Sequence, residues 1–185
     1  NAIEVRGLVK RYGRFQALHG IDLDVNAGEA FGFIGPNGAG KTTLIRTMLD
    51  LLRPSEGEVR IFGRDSRAEA REIHSRLGYV PGDLTLWEKL TGREVLGFLA
   101  NMRGGRGRDR IEPLSERLKL DLDRRVKELS KGNREKVGLI QAFMHEPDLL
   151  VLDEPTSGLD PLVQHEVFEM VDAATDRGAT VFFSS

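Results

Sequence analysis

The sequence predicts an α/β protein with a largely parallel sheet. Short apolar or β-branched runs recur at 3–8, 21–25, 29–34, 58–62, 149–152 and 180–183. Stretches with apolar residues at helical spacing follow several of them. The chain holds 21 glycines in 185 residues, well above an average near 7%, and one Gly-rich link joins a run of the first kind to a stretch of the second. Alternation of short strands with helices of about 10–15 residues is the pattern of strand–helix–strand units on a parallel sheet.

Each element has its own signal. Residues 3–8 and 21–25 alternate or carry β-branched side chains, with Gly13 and Gly20 near the turns. Asn26-Ala27-Gly28 is a turn, and 29–34 is a short, mostly apolar run of the buried-strand kind. Leu44, Ile45, Met48, Leu51 and Leu52 mark a helix over 41–52, which Pro54-Ser55-Glu56-Gly57 ends. Residues 58–62 form another strand. From about 90 to 144 the chain reads as helices and loops. Val95, Leu96, Phe98 and Leu99 stripe 91–102, residues 111–120 form a second helix, and Val137, Ile140 and Met144 line one face of 131–144. Strand 149–152 returns to the α/β pattern. Pro161 opens a helix running to about 175, where proline is favoured in the first turn, and 180–183 is a last strand.

Composition removes several classes. About one domain is expected at this length, long enough to bury a proper core. With 39% hydrophobic and 30% charged residues, the chain is neither disordered nor membrane-spanning. Its 27 basic and 29 acidic residues leave a net charge of -2, which argues against nucleic acid held mainly by bulk charge. Zero cysteines exclude disulfides, thiol catalysis and Cys-ligated zinc, and fit a reducing compartment. No basic-then-apolar leader opens the chain, and Asn1-Ala2 reads as a tag remnant without structural weight. His19, His74, His145 and His165 show no ligand spacing and read as structural or surface groups. The Gly/Arg run 103–108 reads as a solvated loop between helices rather than an RNA-binding segment. Trp87, among Leu84, Leu86 and Leu90, reads as core or as a partner contact, with core favoured.

The chemistry concentrates at Gly35-Pro36-Asn37-Gly38-Ala39-Gly40-Lys41-Thr42, which matches G-x-x-x-x-G-K-[ST] between a predicted strand and a predicted helix. Glycines let the backbone curl so that N–H groups point at phosphate oxygens. The helix beginning at Lys41 adds its positive end. Lys41 is placed for the β- and γ-phosphates and Thr42 for Mg²⁺. Such a site needs an acid at the end of a buried strand, and Leu149 to Leu152 followed by Asp153-Glu154 supplies it. Asp153 is the expected Mg²⁺ ligand, through water. Glu154 is the expected general base for the attacking water.

With these motifs the chain resembles the ABC ATPases along essentially its whole length. Leu129-Ser130-Lys131-Gly132-Asn133 is similar to that family's LSGGQ signature. Ser157-Gly158-Leu159-Asp160 resembles its D-loop, and Tyr12 its adenine-stacking aromatic. Gly78-Tyr79-Val80-Pro81 resembles the start of its Q-loop. The variant motifs are most similar to those of ATP-binding subunits of bacterial multidrug and antibiotic exporters.

The resemblance implies the P-loop NTPase fold of ABC ATPase type, in a single domain over 1–185. It comprises a mostly parallel core sheet, an N-terminal antiparallel β part and a helical subdomain inserted at about 90–144. It implies ATP and Mg²⁺ as cofactors, held by Tyr12, Gly35 to Thr43 (Pro36, Asn37, Gly38, Ala39, Gly40, Lys41 and Thr42 between them) and Asp153. It implies that Ser130, Gly132, Asn133 and Asp160 meet the ATP of a second ATPase subunit. The implied role is an ATP-hydrolysing subunit, on the inner face of the cell membrane, that powers a transmembrane permease. That permease is expected to dock around 82–89 and 91–102. A soluble ABC ATPase acting on ribosomes or DNA, and a regulatory ATP-binding module, are the competing readings.

Three departures carry expectations. Gly82 stands where the family has its Q-loop glutamine, with Asp83 the nearest polar side chain. Lys131 and Asn133 replace glycine and glutamine of the signature. The family's switch histidine follows the last strand, and the sequence stops at Ser185. The expectation is an incomplete C-terminus, and MgATP binding with slow turnover for a chain ending there.

Overall fold

The computed structural model describes residues 1–185. Two sheets lie on either side of one helix. The first is antiparallel, in the order β2-β1-β4-β5, built from β1 (Ile3–Tyr12), β2 (Phe15–Val25), β4 (Glu56–Ile61) and β5 (Arg64–Asp65). The second is parallel, in the order β3-β8-β7-β6, built from β3 (Ala30–Phe33), β6 (Leu77–Val80), β7 (Leu149–Asp153) and β8 (Thr180–Ser184). Helix α1 (Lys41–Met48) buries Leu44, Ile45 and Met48 between Ile3, Val5 and Leu8 of the first sheet and Leu149, Val151 and Phe182 of the second.

The period-2 alternation of a strand then sends Leu150, Leu152 and Val181 to the opposite face. There they meet α5 (Lys131–Phe143) and α6 (Pro161–Asp176). With both faces covered, β7 is buried from end to end, as parallel strands usually are. Helices α3 (Gly92–Met102) and α4 (Ile111–Arg117) pack on α5. Helix α3 begins with a capping box. The Glu94 N–H donates to Thr91 Oγ1 at 3.2 Å, and the Thr91 N–H donates to Glu94 Oε2 at 2.8 Å. No helix is long and apolar enough to cross a membrane.

Several expectations are corrected. The first two strands run on to Tyr12 and begin at Phe15, because bulges let a solvent-facing hairpin continue through polar residues. Helix α1 stops at Met48, where Asp50 takes a φ of 53° and the N–H groups of Leu51 and Leu52 both return to the Arg46 carbonyl. Ala2 has structural weight. It is fully buried, donating to the Val25 carbonyl and accepting from the Phe62 N–H. Helix α2 (Ala70–Ser75) and strand β6 carried no expectation. Both are short, and β6 is only four residues long. Trp87 lies at the surface, half-exposed, edge-on to Phe98.

Candidate functional site

The parallel sheet holds the loop after β3. Gly35 donates its N–H to Ser185 O at 3.1 Å, and the Ser185 N–H donates to Phe33 O at 3.3 Å. The loop closes on itself through Ala39 N–H to Pro36 O at 3.1 Å. Gly40 ends it at φ 90° as the N-cap of α1. A Cβ there would sit 2.8 Å from the Ala17 carbonyl, so glycine is required by both conformation and space. Lys41, only 5% exposed, folds its ammonium back into the loop. Nζ donates to Gly35 O at 2.6 Å and Pro36 O at 3.4 Å, and lies 3.6 Å from Glu154 Oε1. The first-turn N–H groups of α1 are those that no helix can satisfy internally. Beside them sits a buried cation, an arrangement suited to a polyanion.

Asp153 ends β7, between β6 and β8. It is 1% exposed. Its Oδ1 accepts the Ser184 hydroxyl at 2.6 Å, and its Oδ2 is buried without a partner. A Cβ on Gly82 would lie 3.3 Å from that Oδ2. An orphaned carboxylate oxygen facing open space is costly unless something cationic or hydrogen-bonding meets it, so Asp153 fits a hydrated divalent cation. Glu154 leaves the strand at φ 51°, in the left-handed region that non-glycine residues seldom enter. Its N–H donates to Ser184 O at 3.2 Å, and its side chain lines the cavities on both sides.

The first of these cavities has a volume of about 200 Å³ and joins the loop to the hairpin of the antiparallel sheet. Asn37, Gly38, Gly40, Lys41, Thr42 and Thr43 form one side, and Tyr12, Phe15 and Ala17 the other. Gly35, Pro36 and Ala39 shape the loop without lining the cavity. Tyr12 is half-exposed, with Lys10 Nζ 5.0 Å from its ring centroid. Phe15 pairs with it across the ladder. A flat aromatic edge, a pocket and a phosphate-type loop thus meet in one place, although Tyr12 and Lys41 are far apart in sequence.

The remaining expected residues are elsewhere. Ser130 caps α5, its Oγ accepting the Asn133 N–H at 3.2 Å, and Asp160 caps α6, accepting from the Leu162 and Val163 N–H groups at 3.1 Å each. Neither these two nor Gly132 and Asn133 line the cavity holding Lys41. Gly132 instead packs on the segment after Asp153: a Cβ on it would be 3.1 Å from Gly158 O. Between that helix start and the acids lies a second, polar cavity of about 300 Å³. Asp83, Asp153 and Glu154 face it, as do Lys131, Arg134 and Glu135. Burial pushes the Glu135 carboxyl up, opposed by Lys131 at 3.7 Å. Sequence reasoning missed Ser184, Phe15 and Glu135. Ser184 had one usable signal, its place directly after an apolar strand, where side chains meet those of the neighbouring strand end.

Comparison with known proteins follows the same lines. The family model described as ABC transporter matches residues 18–157. The chain is 40% identical to the daunorubicin/doxorubicin resistance ATP-binding protein DrrA of Streptomyces peucetius, over 100% of this chain and 57% of that protein. It is 37% identical to the bacitracin transport ATP-binding protein BcrA of Enterococcus faecalis, over 99% of this chain and 60% of that one. The chain thus spans less than two thirds of these relatives. A solved structure of an ATP-binding subunit of an ABC transporter superposes with a TM-score of 0.91 at 32% identity, covering 100% of this chain and 79% of that one.

Proposed function

The chain belongs to the ABC transporter family, and from that premise we propose that it is the ATP-binding and ATP-hydrolysing subunit of a membrane exporter. The observation that carries this reading is the meeting of Lys41, Glu154 and the partnerless Asp153 carboxylate at the ends of adjacent strands. Resistance and antibiotic-transport names among the relatives favour a drug-like or antibiotic cargo. We assign the chain to one ATPase domain, with 90–144 as its helical subdomain.

Each residue has a role in this proposal. Tyr12, helped by Phe15, presents a ring face to adenine. The loop from Gly35 to Thr43 wraps the phosphates with N–H groups, and Lys41 leaves its carbonyl partners for the β- and γ-phosphate oxygens. Thr42 and Asp153 hold Mg²⁺, which supplies positive charge against the phosphate oxygens. Ser184 keeps Asp153 aimed by occupying its other oxygen. Glu154 accepts the proton of the attacking water at a carboxylate oxygen. Ser130, Gly132, Asn133 and Asp160 stand outside this cleft, which is consistent with serving the ATP of a second subunit in a closed dimer. The permease docks on the surface that includes 82–89 and α3, holding the complex at the inner membrane face.

Two measurements test the proposal. Lys41→Ala should lower ATP affinity, read by calorimetry, by about tenfold to a hundredfold, since it removes a charged donor to phosphate. Unchanged affinity would move the phosphate site elsewhere. Full-length protein purified from membranes should bring a polytopic membrane subunit with it; a ribosome in its place would point to the soluble class of ABC ATPase.

A further inference from the structure

Two clefts join on the surface carried by α2, the end of α3 and the segment after β6. One, of about 370 Å³, is lined largely by apolar side chains, among them Leu51, Leu86 and Trp87. The other, of about 590 Å³, holds Arg71, Arg103, Arg106 and Met102. They share His74, Leu99 and Arg103, and no aspartate or glutamate lines either. Leu51, Trp87, Phe98 and Met102 expose about half or more of their surface here, 56%, 51%, 48% and 70%.

The arginines are the unusual part. Elsewhere arginines of this chain meet acids: Arg76 pairs with Asp148, Arg93 with Asp123 and Arg117 with Glu166. Arg103 is half-buried and has only backbone carbonyls, those of His74 at 3.5 Å and Leu77 at 3.4 Å. Arg106 reaches the His145 carbonyl at 3.4 Å, and Arg71 is exposed. Burial and the neighbouring Arg106 both disfavour charge on Arg103. A partly desolvated cation beside a like charge, with no acid to offset it, is destabilising in the isolated chain. A carboxylate brought by a partner would relieve it.

We propose that this double cleft receives an amphipathic protein segment whose apolar side chains fill the Leu51–Trp87 end and whose carboxylates pair with Arg103, Arg106 and Arg71. The inference rests on the transporter reading and deepens it by giving the chemistry of the segment that the membrane subunit presents. Charge complementarity chooses the occupant, because a half-buried guanidinium in a cleft wall is reached by a side-chain carboxylate and not by a flat headgroup surface. The paired arrangement also sets orientation: the apolar end fixes depth, and the charged end fixes direction.

The test uses the full-length complex. Arg106→Lys and Arg103→Lys keep the charge and introduce an amine, so carbodiimide should couple position 103 or 106 to an Asp or Glu of the membrane subunit, located by mass spectrometry. Arg103→Glu with Arg106→Glu should lower recovery of the membrane subunit about tenfold or more, and Arg71→Glu, a surface change that leaves packing intact, should lower it less. ATP affinity of each variant checks that the fold is retained. An intact complex in the double charge reversal, or no isopeptide in the lysine variants, would overturn the proposal while leaving the transporter reading standing. Arginine-dependent cosedimentation with phosphatidylglycerol vesicles, without a crosslink to protein, would assign the cleft to lipid and overturn it as well. A wild-type protein that brings no membrane subunit would overturn both readings.

Discussion

At the scale of single residues, the candidate site depends on a few groups held in positions they would not choose alone. Asp153 keeps one oxygen satisfied by Ser184 and one free, and the free one is the useful one. Ser184→Ala should remove the only side-chain donor to this carboxylate. The expected costs are about 1–3 kcal/mol of stability and a higher Mg²⁺ concentration for half-maximal ATP binding. Urea unfolding and Mg²⁺ titrations monitored by calorimetry would read both, and a variant unchanged in each would remove Ser184 from the site. Glu154 sits at φ 51° with its side chain near Lys41. Glu154→Gln keeps the shape but cannot take a proton, so phosphate release should fall by about 100- to 10,000-fold while ATP binding persists. Normal turnover would place the base on another residue.

At the scale of elements, close approach explains what propensity does not. Strand β6 lies against α5 because Gly78 has no side chain: a Cβ would be 2.2 Å from the Ala142 carbonyl. Neither backbone can yield cheaply, since each is held by its own hydrogen bonds. Gly78→Ala should destabilise by roughly 1–3 kcal/mol or more. Gly97, inside α3, is the contrast. Its nearest outside atom would be Arg108 Nη1, at 4.0 Å, so Gly97→Ala should stabilise by roughly 0.5–1 kcal/mol through helix propensity. Thermal or chemical unfolding of the pair gives opposite signs if β6 and α5 touch as described, and equal effects if they do not. The helix starts tell the same story more gently. Ser130 and Asp160 each cap a helix, and a cap is consistent with a nucleotide contact, because the same N-terminus can serve both.

At the scale of the whole molecule, the joint between the parallel sheet and the helical region contains a proton switch in stability. His145 is 4% exposed, with Nε2 donating to the Leu77 carbonyl at 3.1 Å and Nδ1 buried without a partner. Burial first, and the Arg103 charge second, pull it down to about 4 from 6.5. The unfolded chain takes up this proton near 6.5 and the folded chain only near 4, so the unfolded state binds more protons within that window. Stability therefore falls as pH drops from about 6.5 to 4 and the effect levels off below, at up to about 3 kcal/mol. Urea unfolding at pH 7.5 and pH 5 should show the loss in the wild type and a smaller loss in His145→Gln. Equal pH dependence in the two would mean that other groups carry it. Glu135, pushed up by burial, acts in the opposite direction and is common to both proteins.

The sequence by itself determined the parts whose cause is local. The apolar run before Gly35, the glycines that curl the loop and the helical stripe after Lys41 are adjacent in the chain, so periodicity and turn chemistry suffice. The same holds for Asp153-Glu154 at the end of an unbroken apolar strand, and for Pro161 behind its Asp160 cap. Tertiary structure alone decided what depends on residues far apart in sequence. It put Ser184 on Asp153, because parallel register pairs those two strand ends. It brought Tyr12 and Phe15 to the loop through the hairpin of the other sheet. It also made a strand of four residues at β6, where α5 fits only against a glycine. Trp87, read as core, went to the surface beside three arginines without acids. Hydrophobicity says which side chains leave water, but only the packing of distant elements settles which polar groups lose it with them.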